Sequence, residues 1–259
     1  MTVVTGTTPT GTILTGAMPI FAREMLLYRV KLVRPTFVVS TLVTPLMYML
    51  VFGLGLGRQV RVEGGDYLSF LVPGLMGMAA MHNAFNWVAS GINIARFYHR
   101  TWQIVMLAPV SPLAVVVGNV AAGMARGLIA SVLIGLAGIA AGWRPEPTLV
   151  LPLALLLETA LFAALGMVIG LKTRGMEEHT TYTNFLITPM GFFCGTFFPL
   201  SNLPAWLAAP IHLLPLSQAN AALRLGAFNG EAAIALGALA AFAVLLLAWA
   251  KRAVATYRE

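Results

Sequence analysis

The sequence predicts an all-α integral membrane protein: six transmembrane helices, an N-terminal interfacial helix, and a re-entrant helical hairpin between spans five and six. Three observations predict it. The 259 residues are 59% hydrophobic and only 10% charged, whereas a soluble domain carries about 25% charged residues and would leave large apolar patches in water at this composition. Apolar stretches long enough to cross a bilayer recur between residues 36 and 250 with no polar insert. The stretch 183–206, TNFLITPMGFFCGTFFPLSNLPAW, starts as a span, breaks at Pro199 and continues in apolar segments too short to cross. One membrane domain therefore accounts for residues 1–259.

Charge and cysteine content narrow the function. A net charge of +7 in a soluble protein would point to nucleic acid. In an apolar chain, basic residues instead mark cytoplasmic loops and touch anionic lipid, so membrane lipids are the expected partner and nucleic acid is not. The single cysteine, Cys194, excludes an intrachain disulfide and a cysteine metal cluster. Residues 1–19 are rich in Thr and Gly and uncharged. They lack the pattern of a signal peptide and are expected to form a flexible tail.

Residues 20–35 are helical in pattern but too charged to span. Arg23, Glu24, Lys31 and Arg34 fall on one stripe, with Phe21, Met25, Tyr28 and Leu32 on another face. That is an interfacial helix, ended by Pro35. Span one is expected at 36–57. Its glycine-rich end, Gly53-Leu54-Gly55-Leu56-Gly57, is no phosphate loop, since no strand precedes it and Arg58-Gln59 follows. Span two, 66–94, is longer than a bilayer needs and carries Pro73-Gly74 as its expected kink. His82, Asn83 and Asn86 place polar groups at mid-span. They serve either hydrogen bonds between helices or the lining of a substrate path.

Residues 95–110 form the first cytoplasmic connection. Arg96, His99 and Arg100 alternate with Phe97, Tyr98 and Trp102, a mixture suited to a surface helix that docks in a partner's groove or anchors at the membrane interface. Span three, 113–141, is rich in glycine and contains Arg126. Span four, 148–171, contains Glu158. Both charges sit 13 residues from the cytoplasmic end of their spans, hence at equal depth. A charge unpaired in hydrocarbon costs at least ~2.5 kcal/mol, so an Arg126–Glu158 pair is the economical expectation. In the loop that follows, Glu177, Glu178 and His179 lack a spaced ligand partner, and a solvated loop is preferred to a metal site.

Span five is expected at 181–198, weakened by Pro189 and Gly191. In the hairpin, 199–226, Ser201 or Asn202 is the expected cap of a new helix with Pro204 in its first turn. Trp206 and His212 belong near headgroup level. Span six is expected at 231–250. With the N-terminus inside, the inner segments hold eleven Lys and Arg and the outer loops four, which places both termini in the cytoplasm. No extended internal repeat is visible, against an inverted-repeat secondary transporter.

The pattern "ITPM…G…FP…LP", read here over 187–204, resembles that of type-2 ABC exporter permeases. The subgroup it resembles is the nodulation-factor (lipo-oligosaccharide) and multidrug exporter permeases. The resemblance covers nearly the whole chain in span order. It implies a permease homodimer in a bacterial inner membrane, with two ATPase subunits as partners. No cofactor is expected in this chain; ATP and Mg would be bound by the ATPase. Arg100-Thr101-Trp102-Gln103 sits where the family often carries Arg-Thr-Trp-Glu in its coupling helix. The resemblance thus implies ATPase coupling through Arg96, Tyr98, Arg100, Trp102 and Gln103, with Gln103 lacking the usual charge. It also implies an exit hairpin built around Pro199, Pro204, Trp206 and His212. Family members move amphiphiles: lipid-linked saccharides, polysaccharides, drugs. The expected substrate is a lipid-linked saccharide or lipo-oligosaccharide, the alternative a hydrophobic drug or antibiotic. Two other classes are weaker. An intramembrane enzyme using Glu158 and His82 has no nucleophile or metal constellation beside it, and a passive channel or scaffold would need no ATPase.

Overall fold

In the computed structural model the described residues are 13–32, 43–56 and 66–257. Expectations for residues 33–42 and 57–65, which include the start of span one and the first outer loop, lie outside them. So do residues 1–12 of the tail and residues 258–259. The described residues are mainly helical, with no strand among them.

Local chemistry starts the long helices. Ser111 accepts from the Ala114 N–H at 3.2 Å, with Pro112 in the first turn, and opens α5 (Pro112–Ala140). Thr148 accepts from the Val150 N–H at 3.0 Å at the start of α6 (Val150–Lys172). Asn229 accepts from the Ala232 N–H at 2.8 Å and opens α11 (Gly230–Ala255). The fourth long helix, α3 (Tyr67–Asn93), runs without a break through Pro73 and is prolonged by a π-turn at Ile94–Tyr98. These four are long and apolar enough to cross a membrane: Tyr67–Tyr98, Pro112–Ala140, Val150–Lys172 and Gly230–Ala255.

α3 is the centre of the molecule and packs on both α5 and α6, while α11 packs on α6. Small residues permit the approach. A Cβ at Gly166 would lie 2.5 Å from the Phe85 carbonyl oxygen, and one at Gly138 would lie 2.5 Å from Val72. Backbone and branched side chain cannot yield there, so both contacts require glycine.

The remaining helices are shorter. α2 (Val43–Gly53) widens into a π-helix over Met49–Leu56. The chain is continuously helical from α7 (Met176–Tyr182) through a π-turn at Thr183–Ile187 to α8 (Thr188–Phe193). This run starts five residues before the expected span five and ends five residues short of it. The π-turn lies just ahead of Pro189, whose missing N–H weakens the ladder, and the Thr188 hydroxyl donates to the Thr183 carbonyl at 3.1 Å. Gly195, at φ +77°, then turns the chain out of the helix.

Past Pro199 come a 3-10 turn (Leu200–Asn202), α9 (Ala205–His212) and α10 (Pro215–Leu223). The two short helices expected there are present. The cap differs: Ser201 and Asn202 belong to the 3-10 turn, and Pro204 itself occupies the N-cap position of α9 with extended backbone. Proline is compatible with that position because its fixed φ fits and no N–H is needed. α10 buries Leu216, Ala219 and Ala222 against α3, α6 and α11.

The N-terminal helix departs from expectation at its start. α1 covers Ile13–Leu32, so residues 13–19 are helix rather than tail. It follows α5 closely: a Cβ at Gly16 would meet Ala114 at 3.0 Å, and one at Gly118 would meet the Ala17 carbonyl at 2.8 Å. Tyr28 lies at Arg126. Contact from Ala114 to Arg126 means that α1 lies along α5 for roughly 18 Å, at 1.5 Å per residue.

Candidate functional site

Two features of the structure stand out as candidate sites: a furrow along α3 and a connection at its end. The furrow is built on the polar residues of α3. Asn83 donates to the Ala79 carbonyl at 3.0 Å, Asn86 to the His82 carbonyl at 2.9 Å, and the Ser90 hydroxyl to the Asn86 carbonyl. Each side chain thereby satisfies itself on its own helix and leaves the rest of its polar atoms to face outward. The Thr183 hydroxyl reaches Asn86 Oδ1 at 3.2 Å and ties the π-turn to this face.

Three cavities follow one another along α3. A cavity of about 340 Å³ lies between α1 and α3, bounded by Arg23, Glu24, Leu27 and His99, and shares Trp87 and Ser90 with the next. The middle one, about 240 Å³, is lined by His82, Asn83, Asn86, Trp87, Ser90 and Arg126. It shares His82 and Asn83 with the third, about 370 Å³, which Tyr48, Leu75, Met78 and Phe192 make mainly apolar. Together they form a continuous furrow, charged near Arg23, Glu24 and His99, polar in the middle and apolar beyond.

Arg126 stands with its guanidinium carbon 4.5 Å from the Trp87 ring centroid and 5.2 Å from that of Tyr28. Such contacts are worth roughly 0.5–2 kcal/mol each and offset part of the cost of the charge. The expected Arg126–Glu158 pair is not formed. The depth register is right, because a Cβ at Gly127 would touch the Thr159 methyl at 2.8 Å. The directions are wrong: one residue is about 100° of helix rotation, and Arg126 turns to α1 and α3 while Glu158 turns the other way. The Glu158 carboxyl is fully buried, both oxygens lack a hydrogen-bond partner, and Oε1 lies near Gly77, close to the Asn220 side chain.

An unpartnered buried polar group costs about 1–3 kcal/mol. Glu158→Met, of similar length and apolar, is therefore expected to raise the melting temperature of the detergent-solubilised protein. A lowered melting temperature would show that the carboxyl is satisfied in the membrane and would contradict this geometry.

At its far end α3 passes through the Ile94–Tyr98 π-turn. Arg100, at φ 52°, then reverses the chain into α4 (Thr101–Leu107). A non-glycine residue in the left-handed region is strained by roughly 1–3 kcal/mol, which the surrounding contacts must hold in place. Arg96 does so. Its Nε donates to the Tyr257 hydroxyl at 2.9 Å, and Nη1 donates to the carbonyls of Gly170, Leu171 and Thr173 at 2.8–2.9 Å. It thus caps the C-terminus of α6, where a cation is favoured. Trp102 is 3% exposed and packs edge-on against Tyr257, with ring centroids 6.3 Å apart.

Arg96 and Trp102 are therefore consumed inside the chain and are not outward contacts for an ATPase, which corrects the expectation for both. Gln103 is half-buried. Tyr98 and Arg100 are exposed, and beside them stand Ile104, 67% exposed, and Leu107, 86% exposed. The outward face of α4 is apolar with a basic edge. Trp206 and His212 are both exposed on α9, at the opposite end of the molecule.

Sequence reasoning missed Arg224. Its Nε donates to the Phe70 carbonyl at 3.0 Å and Nη2 to the Gly195 carbonyl at 2.7 Å, and it lies 3.7 Å from the Phe70 ring centroid. It pins α10 to the start of α3. As one basic residue in an apolar loop, it carried no signal except that loop's low charge.

The family model described as ABC-2 type transporter matches residues 20–228. The chain is 29% identical over 194 residues to the inner membrane transport permease YadH of Escherichia coli K12, covering 73% of this chain and 75% of that protein. It is 29% identical over 214 residues to Nodulation protein J of Rhizobium meliloti, covering 80% and 81% respectively. With Nodulation protein J of Neorhizobium galegae the identity is 28% over 221 residues, or 83% and 84%.

Proposed function

Because the chain belongs to the ABC-2 type transporter family, we propose that it is the membrane-spanning permease subunit of an ATP-driven exporter. Its substrate is an amphiphile, a lipid-linked saccharide or lipo-oligosaccharide, moved out of the cytoplasm or inner leaflet. ATP and Mg are bound and hydrolysed by a separate subunit, two copies of which dock on a homodimer of this chain. In this reading the six spans are the one that includes α2, then α3, α5, α6, the run from α7 to α8, and α11. The run from Met176 to Phe193 is 18 residues, or about 27 Å, with Glu177 and Glu178 exposed in its first turn at the aqueous end. α9 and α10 form a re-entrant hairpin on the outer side. Both termini are cytoplasmic by the distribution of basic residues, and the membrane is a bacterial inner membrane. The α4 face of Tyr98, Arg100, Ile104 and Leu107 docks the ATPase.

The observation that carries the export reading is the furrow. A path for an amphiphile needs polar surface for the head group and apolar surface for the chain, side by side and continuous. The three cavities along α3 supply both, in that order. Asn83 sits where the middle and outer cavities meet, so Asn83→Trp should block the path. A deletion strain is expected to accumulate an amphiphilic glycan in its inner membrane, read by lipid mass spectrometry. Wild type should clear it and Asn83→Trp should not. Drug hypersensitivity without glycan accumulation would favour the efflux alternative. Full clearance by Asn83→Trp would sink the path.

A further inference from the structure

Tyr257 follows α11 and meets the connection after α3 from the far end of the chain. Its hydroxyl accepts from Arg96 Nε at 2.9 Å, and the Arg96 guanidinium carbon lies 5.1 Å from its ring centroid. Trp102 of α4 packs edge-on against the same ring, with centroids 6.3 Å apart. One side chain thus touches both the turn before α4 and the buried anchor of α4 itself. The backbone behind it leaves little slack. The Thr256 N–H donates to the Arg252 carbonyl at 2.9 Å and the Tyr257 N–H to the Val254 carbonyl at 3.3 Å. The ring is therefore carried on the last turn of α11.

The surroundings favour α11 as the helix that follows α4. The end of α3 is fastened to α6: Asn93 Nδ2 donates to the Thr173 hydroxyl at 2.9 Å, and Arg96 binds the last α6 carbonyls. The left-handed reversal at Arg100 then separates α4 from α3. α11 packs on α6 and α10 and leaves Ile234, Val244 and Leu245 exposed on its other side. It is the least enclosed of the four long helices, and a helix with fewer buried contacts is held less firmly. Near its start it buries Ala232, Ala235, Leu236 and Leu239, and it packs on α10 of the hairpin.

We propose that Tyr257 is a positioning residue for α4: it fixes α4 against the end of α11 and passes the displacement of α4 into that helix. This role rests on the docking of an ATPase on α4, and it adds the route by which the stroke leaves α4. A rigid helix that contacts α4 through Tyr257 and packs on α10 is a physical link between the two ends of the molecule. The hydroxyl gives the link its direction, because a hydrogen bond to a guanidinium is both strong and oriented.

The test uses the purified full-length permease with its co-expressed ATPase. A bimane is attached through Ile234→Cys, near the α10 end of α11, in a Cys194→Ala background. Adding a nonhydrolysable ATP analogue should shift the bimane emission. Tyr257→Phe keeps the ring and removes the acceptor. It should retain the ATPase and melt close to wild type, since Arg96 keeps its carbonyl partners and Trp102 its ring contact, yet lose most of the bimane shift. A merely structural role predicts the reverse, a lower melting temperature with the shift intact. Should Tyr257→Phe fail to fold, hydrogen exchange in the wild-type complex decides. The analogue should then change protection of residues 251–257 together with residues 101–107. An unchanged shift in folded Tyr257→Phe, no shift in wild type, or a change at 101–107 without one at 251–257 overturns the role of Tyr257 and leaves the docking on α4 standing. A permease that binds no ATPase overturns both.

Discussion

Arg96→Ala is expected to destabilise the permease itself, in the absence of any ATPase. The guanidinium joins three elements at one end of the fold: the π-turn that ends α3, the last carbonyls of α6 and the Tyr257 hydroxyl after α11. Removing it leaves the Gly170, Leu171 and Thr173 carbonyls without their shared donor, and charge-assisted bonds of this kind are worth about 1.5–3 kcal/mol each before compensation. Water at the membrane surface will satisfy some of them, so a net loss on the order of 3 kcal/mol is expected. The strained turn at Arg100 depends on the same anchorage. The measurement is thermal melting of the purified permease, with trypsin cleavage after Arg100 as the local readout. Arg96→Ala should melt lower and be cut faster, and Arg96→Lys should recover part of the loss. A wild-type melting curve for Arg96→Ala would mean that the contacts seen here contribute little. Trp102→Ala should behave like Arg96→Ala, because its indole is buried against Tyr257.

Much of the fold is legible in the sequence because membrane constraints are coarse and strong. An apolar stretch of 18 residues or more with at most an isolated charge has few alternatives, so the helices from Tyr67, Pro112, Val150 and Gly230 begin and end close to their expected limits. The breaks at Pro199, Pro204, Pro210 and Pro215 likewise announce short helices. Direction around the helix axis was much less legible. Arg126 and Glu158 share a depth, yet their separation is decided by which way each helix is rotated, and α5 is glycine-rich enough to pack by several faces. Glu158 draws its environment from α10, a helix distant in sequence, and no local pattern reveals that. The coupling segment shows the same limit. Its mixture of basic and aromatic residues was visible, but buried and exposed aromatics look alike in sequence. Trp102 turned inward to meet Tyr257 from the far end of the chain, and the smaller Ile104 and Leu107 were left outside. The polar stripe of His82, Asn83 and Asn86 was legible as a mid-span anomaly. Its junction with Arg126 required the packing of α3 against α5.

In the proposed function a separate ATPase drives this chain by docking on the outward face of α4. Ile104 and Leu107 project from that face without contributing to the buried core, so replacing them should leave the fold alone. An apolar side chain at the centre of an interface commonly contributes 2 kcal/mol or more, and a charge buried there without a partner costs further. The Ile104→Asp, Leu107→Asp double variant should therefore weaken ATPase binding by roughly a hundredfold. The direct measurement is affinity copurification of tagged permease with its co-expressed ATPase, alongside melting of the permease alone. The double variant is expected to insert, to melt within a degree or two of wild type and to come away without the ATPase. Retention of the ATPase at wild-type stoichiometry, with hydrolysis still responding to the permease, would contradict docking on α4.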